Sequence, residues 1–112
     1  MKNFNPKAWF MPQAVLVIGT YDADGTPNAM NAAWSGQWDN DKIMISMGNH
    51  QTTVNLNSNP DFTVAFATTE TLVAADYVGV VSGKKVKDKV AKTGWNVEKG
   101  EQVNAPVFTN FP

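Results

Sequence analysis

The 112-residue chain has no cysteine, no arginine and only one histidine. The lack of cysteine excludes disulfides, thiolate nucleophiles and thiolate metal sites, and it suits a reducing cytosol. The lack of arginine means that any anion has to be held by lysine, histidine, hydroxyl groups or backbone N–H groups. With one histidine and no ligand pair at a recognisable spacing, we predict no metal site. Redox chemistry on this chain would therefore need a bound cofactor.

A charge excess, long apolar runs and a hydrolase motif are missing as well. Nine lysines stand against ten acidic residues, and the formal charge of -1 offers no cationic field to a nucleic-acid backbone. The longest apolar run, Ala14 to Ile18, is far shorter than the ~20 residues of a membrane helix, and no signal-peptide core precedes it. No Gly-x-Ser-x-Gly nucleophile elbow occurs. We expect a cytoplasmic, single-domain protein over residues 1–112 that binds neither nucleic acid nor membranes.

The first part of the chain has the pattern of a β-hairpin. Residues Ala14 to Tyr21 are rich in β-branched side chains and too few for a typical core helix, so they predict a buried strand. Asp22 to Pro27 supplies turn residues, with Asp24 and Gly25 suited to the positive φ angles of a tight hairpin. The return strand is predicted at Asn28 to Trp34, where small side chains permit close approach of a ligand or another backbone.

Two later strands are predicted from alternating apolar residues, because successive side chains in a strand point to opposite faces. The segment from Ala105 to Phe108 leads into a further predicted strand. The first alternating strand spans Lys42 to Met47, and its expected core face carries Ile43, Ile45 and Met47. The second spans Asp61 to Ala67, and its expected core face carries Phe62, Val64 and Phe66.

The remaining predicted elements are short helices. One starts at Thr52 and has to stop before Pro60, since a residue preceding proline avoids the α region. A second is predicted from Thr69 to Tyr77 with Gly79 as its cap, and a third is a surface helix around Val86 and Val90. The expected fold class is mostly β with short helices.

One candidate anion site lies at His50 to Thr53. This segment follows a strand and a Gly-Asn break and opens a predicted helix, where free backbone N–H groups and the helix dipole favour a phosphate. His50 and Thr52 would add side-chain donors. The alternative is that Thr52 or Thr53 only caps the helix and that the histidine is a surface residue. Local spacing by itself favours this alternative.

A candidate ring site lies at Asn28 to Gly36. Its small residues allow close backbone contact, its amides suit the polar edge of a ring, and Trp34 offers a stacking surface for a flat heteroaromatic group. The alternative is an edge strand whose Trp34 fills the core. Spacing does not decide between the two.

Lysine is concentrated in one segment, where five of the nine lie between Ser82 and Gly94. Charge pattern alone favours a solvated helix face. One or two of these lysines still have the reach to contact an anion.

Four stretches, taken in order, resemble the flavin reductase-like family of FMN-binding split β-barrels, which includes the flavoredoxin-type proteins. They are the apolar first strand with its Asp24-Gly25 turn, the strand from Asn28 to Trp34, the segment from His50 to Leu56, and Ser82-Gly83 followed by Asp88-Lys89. Their order and spacing carry the resemblance, which covers nearly all of this chain.

The resemblance implies an FMN-binding split barrel. In it, the strand at Asn28 to Trp34 runs beside the flavin ring and the segment from His50 to Asn55 holds the ribityl phosphate, while Lys89 becomes a candidate flavin or phosphate contact. The implied FMN-binding residues are Asn28, Met30, Asn31, Ala32, Ala33, Trp34, His50, Gln51, Thr52, Asn55 and Lys89.

The resemblance also implies a homodimer with flavin near the subunit interface, and it implies further strands after the segment matching Asn104 to Phe108. We therefore expect a form that lacks the family's C-terminal strands. Such a form would have an open sheet edge, which favours pairing or strand exchange.

The function implied by the resemblance is that of an NAD(P)H-dependent flavin reductase or a flavoredoxin-like electron carrier, in which hydride or electrons pass between NADH or NADPH and FMN. The cofactor carries the chemistry in such a protein, so no catalytic side chain is required. Two alternatives stay open at this point. One is a flavin-binding or electron-transfer module without nicotinamide oxidation, and the other is a self-associating β-domain fragment with an incomplete flavin site.

Overall fold

The structure is a computed structural model that describes residues 3, 5–6 and 10–112. Within that part, the chain forms mostly short strands with a few short helices, and this fold class is as predicted. The elements in chain order are β1 Leu16–Tyr21, β2 Pro27–Ala32, β3 Ser35–Asp39, β4 Lys42–Ile45, α1 Gln51–Ser58, β5 Thr63–Phe66, α2 Leu72–Val80, α3 Lys89–Thr93, β6 Val97–Lys99 and β7 Pro106–Phe108.

The central sheet has the order β2-β1-β5, with both pairs antiparallel. The predicted hairpin between β1 and β2 is confirmed. Its turn is closed by backbone hydrogen bonds from Gly25 N–H to Asp22 O and from Asp22 N–H to Thr26 O, each 2.9 Å long. Gly25 has a φ of 85°. This left-handed conformation favours glycine because it has no Cβ.

The core forms on both faces of this sheet, because β1 lies in its middle and alternate side chains point to opposite sides. Val17 and Ala29 pack on one face against helices α2 and α3 and the aromatic residues Trp95 and Phe108. The other face is a smaller cluster, whose buried members are Leu16, Ile18, Met30 and Ala32.

The apolar face of β5 points the opposite way from the prediction. Phe62, Val64 and Phe66 do share one face, but they are exposed, and Phe66 is 60% accessible. The inward face carries Thr63 and Ala65, with Ala65 packed against the core and the Thr63 hydroxyl donating to Pro106 O. Alternation shows which residues share a face, and tertiary packing decides which face is covered.

The strand predicted at Lys42 to Met47 is shorter and belongs to a separate hairpin. It pairs with the unpredicted strand β3, and residues 36–44 are all exposed. Ile45 and Met47 pack against the smaller core cluster as predicted, whereas Ile43 does not. Only the end of this hairpin at Ile45 and Met47 therefore contributes to the core.

The helices form close to where predicted, but α2 begins at Leu72 rather than Thr69, and other ends of α2 and α3 differ as well. Helix α1 stops before Pro60 as expected. Helix α2 continues through Gly79 to Val80, so Gly79 is not its cap. Helix α3 starts only at Lys89 and ends at Thr93, with Gly94 as its C-cap at a φ of 74°. Val90 of this helix is buried, whereas Val86 precedes the helix and is only partly covered.

Candidate cofactor site

A cavity of about 190 Å³ lies where β2, the start of α1, the end of α2 and the start of α3 meet. The residues that line it come from parts of the chain that are far apart in sequence, and they include the turn at residues 79–83. The sequence-predicted site residues that line it are Asn28, Met30, Asn31, His50, Gln51, Thr52 and Lys89.

Behind this cavity, four buried polar residues join β1, β2 and α1. Asn28 Nδ2 donates to Thr52 Oγ1 at 2.9 Å and to Thr20 Oγ1 at 3.3 Å. Asn55 Nδ2 donates to Thr20 Oγ1 at 2.9 Å, and it also donates to Asp22 Oδ1 at 2.8 Å. Buried polar side chains are stable only when they are hydrogen-bonded, so this network holds helix α1 in register with the sheet.

One atom of the network has no partner. Asn28 is only 2% exposed, and its Oδ1 has no hydrogen-bond partner among the described residues. An unpaired buried carbonyl costs about 1–3 kcal/mol, so a bound molecule that carries a hydroxyl or N–H donor would be stabilised here.

Two glycines form the close wall of the cavity. A Cβ at Gly83 would lie 2.5 Å from Asn28 Oδ1 and 3.1 Å from Gln51 Cβ. A Cβ at Gly79 would lie 2.6 Å from Asn31 Cβ. Both distances are shorter than side chains tolerate, so these positions need glycine for the close approach of α2 and its following turn to β2.

The anion-binding side of the cavity is the start of α1. His50 is the extended residue before the helix, and the first N–H groups, at Gln51 and Thr52, have no acceptor within a helix. These groups and the helix dipole favour a negative charge. Thr53, not Thr52, makes the local turn contact, because its hydroxyl donates to Gly48 O at 2.6 Å. Thr52 instead faces Asn28, so the capping alternative does not describe its role. That alternative is correct for Thr53, whose hydroxyl accepts from His50 N–H, and for His50, which is exposed.

Lysines of the segment between Ser82 and Gly94 divide into two kinds. Lys84, Lys85, Lys87 and Lys92 are exposed, as expected for a solvated face. Lys89 is only 3% exposed, and its Nζ donates to Val78 O at 2.8 Å and Val81 O at 2.9 Å. Burial lowers the pKa of Lys89 to about 8, while the charge of Asp22 opposes that shift.

Four of the sequence-predicted site residues do not line this cavity. Ala32 is buried in the smaller core cluster, and Asn55 is used by the polar network. Ala33 and Trp34 lie beyond the end of β2, where Trp34 is 55% exposed and borders a separate apolar groove with Leu16 and Phe66. The alternative that Trp34 fills the core is therefore wrong.

Sequence reasoning missed the wall formed by residues 79–83. The local sequence predicts Gly79 as a helix cap and gives Ser82-Gly83 no local role. A glycine required by contact with a distant strand has no signal in its neighbouring residues, because the contact is made only on folding. Lys84 was also missed as an individual residue: its Nζ donates to Asn49 Oδ1 at 2.8 Å, beside the start of α1.

Other kinds of site find no support in the described residues. Residues 3, 5–6 and 10–112 contain no group of three or more histidine or carboxylate side chains placed to hold a metal ion. None of the helices in this part of the chain is long and apolar enough to cross a membrane.

Comparison with protein-family models and with curated protein sequences gives no match. Solved structures do match. Flavoredoxin of Desulfovibrio vulgaris (Miyazaki F) is 31% identical and superposes with a TM-score of 0.92 over 100% of this chain and 62% of its own. Flavoredoxin from Methanosarcina acetivorans is 24% identical, with a TM-score of 0.79 over 99% of this chain and 59% of its own.

A third match is the FMN-binding domain of a flavin reductases-like enzyme from Shewanella baltica, which is 19% identical with a TM-score of 0.77 over 87% of this chain and 52% of its own. The chain thus spans 62% or less of the length of these three proteins. The two matches below 25% identity show the shared split-barrel fold, and the flavoredoxin of Desulfovibrio vulgaris adds a likeness in sequence across the whole chain. The chain belongs to the flavin reductase-like family of FMN-binding split-barrel proteins.

Proposed function

We propose that this chain binds FMN in the cavity between β2 and the start of α1 and acts as a flavoprotein oxidoreductase of the flavin reductase or flavoredoxin type. One observation carries the proposal: the start of α1, with its free N–H groups, and Asn28, whose buried Oδ1 has no hydrogen-bond partner, line the same cavity. The N–H groups favour a phosphate, and Asn28 Oδ1 needs a hydrogen-bond donor. The ribityl phosphate of FMN carries a phosphate and hydroxyl donors on one chain.

The residues of the cavity fit the phosphate and polyol end of this ligand. We assign the phosphate to His50, Gln51 and Thr52, and a ribityl hydroxyl to Asn28. A cavity of about 190 Å³ is smaller than the roughly 300–1,000 Å³ typical of pockets that enclose a whole ligand. It therefore suits the phosphate and polyol chain, and a flavin ring has to extend beyond it.

The remaining predicted contacts have different parts in this proposal. Met30 and Asn31 border the cavity and are assigned to the flavin where it leaves the polyol subsite. Ala33 and Trp34 are candidates only for a ring that extends further. Ala32 and Asn55 support the site from behind, through the core cluster and the polar network.

When bound, FMN supplies the hydride and electron transfer that the side chains of this chain do not provide. The chain's own residues bind and orient. The start of α1 and Asn28 hold the phosphate end, and the glycine wall keeps the polyol close to β2. NADH or NADPH is proposed as the co-substrate.

The binding experiment is a fluorescence titration of the purified protein with FMN and, separately, riboflavin. We expect saturable binding of both, with FMN the tighter ligand because only FMN reaches the start of α1. The absorption spectrum of the complex should show a bound flavin. Absence of saturable flavin binding by a folded protein would refute the proposal.

A second candidate is a flavin-binding or electron-transfer module without nicotinamide oxidation, which the match to flavoredoxins also supports. Anaerobic mixing of the FMN complex with NADH or NADPH separates the two candidates. Bleaching of the flavin absorbance on a catalytic timescale supports the oxidoreductase. Reduction by dithionite but not by either nicotinamide would support the module.

Homodimerisation is part of the proposal. Exposed large apolar side chains lie on β4, β5 and the neighbouring segments, and contiguous apolar surface of this kind marks interaction sites. They include Trp34, Ile43, Met44, Phe62, Val64 and Phe66. Light scattering at micromolar concentration should give the mass of a dimer. The mass of a monomer would contradict this part.

A further inference from the structure

The turn between β1 and β2 contains Asp24-Gly25, which is the only Asp-Gly pair in the sequence; no Asn-Gly pair occurs. Both residues are exposed, and a Cβ at Gly25 would meet no atom within 4 Å. The main-chain nitrogen of a glycine reaches the side-chain carbon of a preceding aspartate readily, because glycine has no side chain to hinder the approach. This turn is therefore the place in the chain best suited to a rearrangement of its backbone.

Three contacts hold the reacting groups of this turn apart. Thr26 N–H donates to Asp24 Oδ1 at 3.1 Å, and Lys87 Nζ donates to Asp24 Oδ2. Gly25 N–H donates to Asp22 O at 2.9 Å, so the nitrogen is engaged away from the Asp24 carboxyl group. Lys87 is 63 residues further along the chain, so its contact exists only in the folded protein.

We infer that Asp24 is a site of isoaspartate formation and that Lys87 restrains this modification. In the first step the Gly25 nitrogen forms a bond to Asp24 Cγ, and one carboxyl oxygen leaves as water with the nitrogen's proton. The product is a five-membered succinimide ring. Water then opens the ring at the main-chain carbonyl, so that the chain runs through Cγ. The reaction consumes and returns one water and needs no other reactant.

The modification would alter the hairpin that contains it. Isoaspartate adds one carbon to the main chain within the turn, so the bonds from Gly25 N–H to Asp22 O and from Asp22 N–H to Thr26 O cannot both be kept. Strand β1 is the middle strand of the central sheet. We therefore expect the modified protein to unfold at a lower urea concentration than the unmodified protein.

The charge of Asp24 controls the rate of the first step. A carboxylate repels the attacking nitrogen and has no good leaving group, so the protonated carboxyl is the reactive form. The hydrogen bond from Lys87 is the main cause that lowers the pKa of Asp24 to about 2, and the Thr26 backbone N–H adds to it. Lys87 keeps its own charge, because Asp24 chiefly and Asp22 to a smaller degree raise its pKa.

The experiment stores the full chain and its variants at about pH 5, which is above the ordinary pKa of an aspartate. Peptide mapping with electron-transfer fragmentation then measures isoaspartate at residue 24. We expect Lys87→Gln to form it about tenfold faster than the unmodified chain, since a pKa higher by one gives about ten times as much protonated carboxyl. This figure already discounts the pairing for the exposure of both side chains.

Three further variants separate the pairing from other effects. Lys87→Arg keeps the charge and should restore the slow rate. Lys85→Gln is the matched control and should leave the rate unchanged, because Lys85 is exposed and belongs to none of the ion pairs of the described residues. Asp24→Glu should show no rearrangement at this turn, because a glutamate would have to close a less favourable six-membered ring.

Salt tests the same pairing in the unmodified chain. Salt at about 1 M screens exposed charges, so it should accelerate the reaction in the unmodified chain but not in Lys87→Gln. Absence of isoaspartate at residue 24 of folded Lys87→Gln would refute the site. Equal rates in Lys87→Gln and Lys85→Gln would refute the role of Lys87. No flavin takes part in these measurements, so their result is independent of the proposed function.

Discussion

A Gly83→Val substitution is expected to weaken FMN binding by about a hundredfold or more, while the protein still folds. The first atom of the new side chain would lie 2.5 Å from Asn28 Oδ1 and 3.1 Å from Gln51 Cβ, so Asn28 has to move and its bond to Thr52 is lost. The two further methyl groups also take volume from a cavity of only about 190 Å³. A hundredfold change in affinity corresponds to about 2.7 kcal/mol.

Gly36→Val is the matched control for this experiment. A Cβ at Gly36 meets no atom within 4 Å, and the residue lies in the exposed hairpin. Both variants are compared with the unmodified chain by circular dichroism and by FMN titration. FMN affinity in Gly83→Val equal to that in Gly36→Val would contradict the placement of the polyol chain against Gly83.

A Phe108→Ala substitution should lower the free energy of unfolding by about 3–5 kcal/mol, which is the usual cost of deleting a buried aromatic side chain. Phe108 is only 4% exposed and packs in the larger core cluster. Its ring centroid lies 5.3 Å from that of Trp95 and 6.5 Å from that of Phe111. Urea denaturation followed by tryptophan fluorescence measures the change.

Phe66→Ala is the control, because it removes the same side chain from a strand residue that is 60% exposed. We expect a loss below about 1 kcal/mol, as for other substitutions away from a packed core. The measurement is made at low protein concentration, so that association does not contribute. A larger loss for Phe66→Ala than for Phe108→Ala would restore the sequence-based prediction that Phe66 faces the core.

Phe66 and Phe108 show which features of a strand the sequence alone predicts and which it does not. Alternation in β5 correctly grouped Phe62, Val64 and Phe66 on one face. It placed that face inward because apolar residues favour burial. Strand β7 packs against the other side, where Thr63 bonds Pro106 and Ala65 joins the core cluster, and no local pattern in β5 contains that information.

Much of the strand and helix order follows from local chemistry. The β-branched run of β1, the Asp24-Gly25 turn and the limit that Pro60 imposes on α1 each act within a few neighbouring residues. Local steric preferences and hydrogen bonds of this kind operate before any tertiary contact forms. The resemblance carried by four ordered stretches, and with it the family and the fold class, could likewise be stated from the sequence.

Local sequence patterns predicted the contacts within the candidate site least well. Asn28 and Thr52 were predicted site residues, yet their mutual bond, the unpaired Asn28 Oδ1 and the glycine wall at residues 79–83 depend on three segments meeting in space. The same holds for Lys89, which charge pattern alone would place in solvent and which the structure buries against the end of α2.

The sequence by itself therefore determined the fold class, the β1–β2 hairpin, the limit on α1 and two of the segments that form the site, the strand from Asn28 and the start of α1. The tertiary structure decided which face of β5 is buried, which predicted site residues share one cavity, and which of five clustered lysines lies inside. The physical reason is the range of the interactions. Backbone preferences and side-chain alternation act between near neighbours, whereas burial, a missing hydrogen-bond partner and the room for a Cβ are properties of residues brought together by the fold.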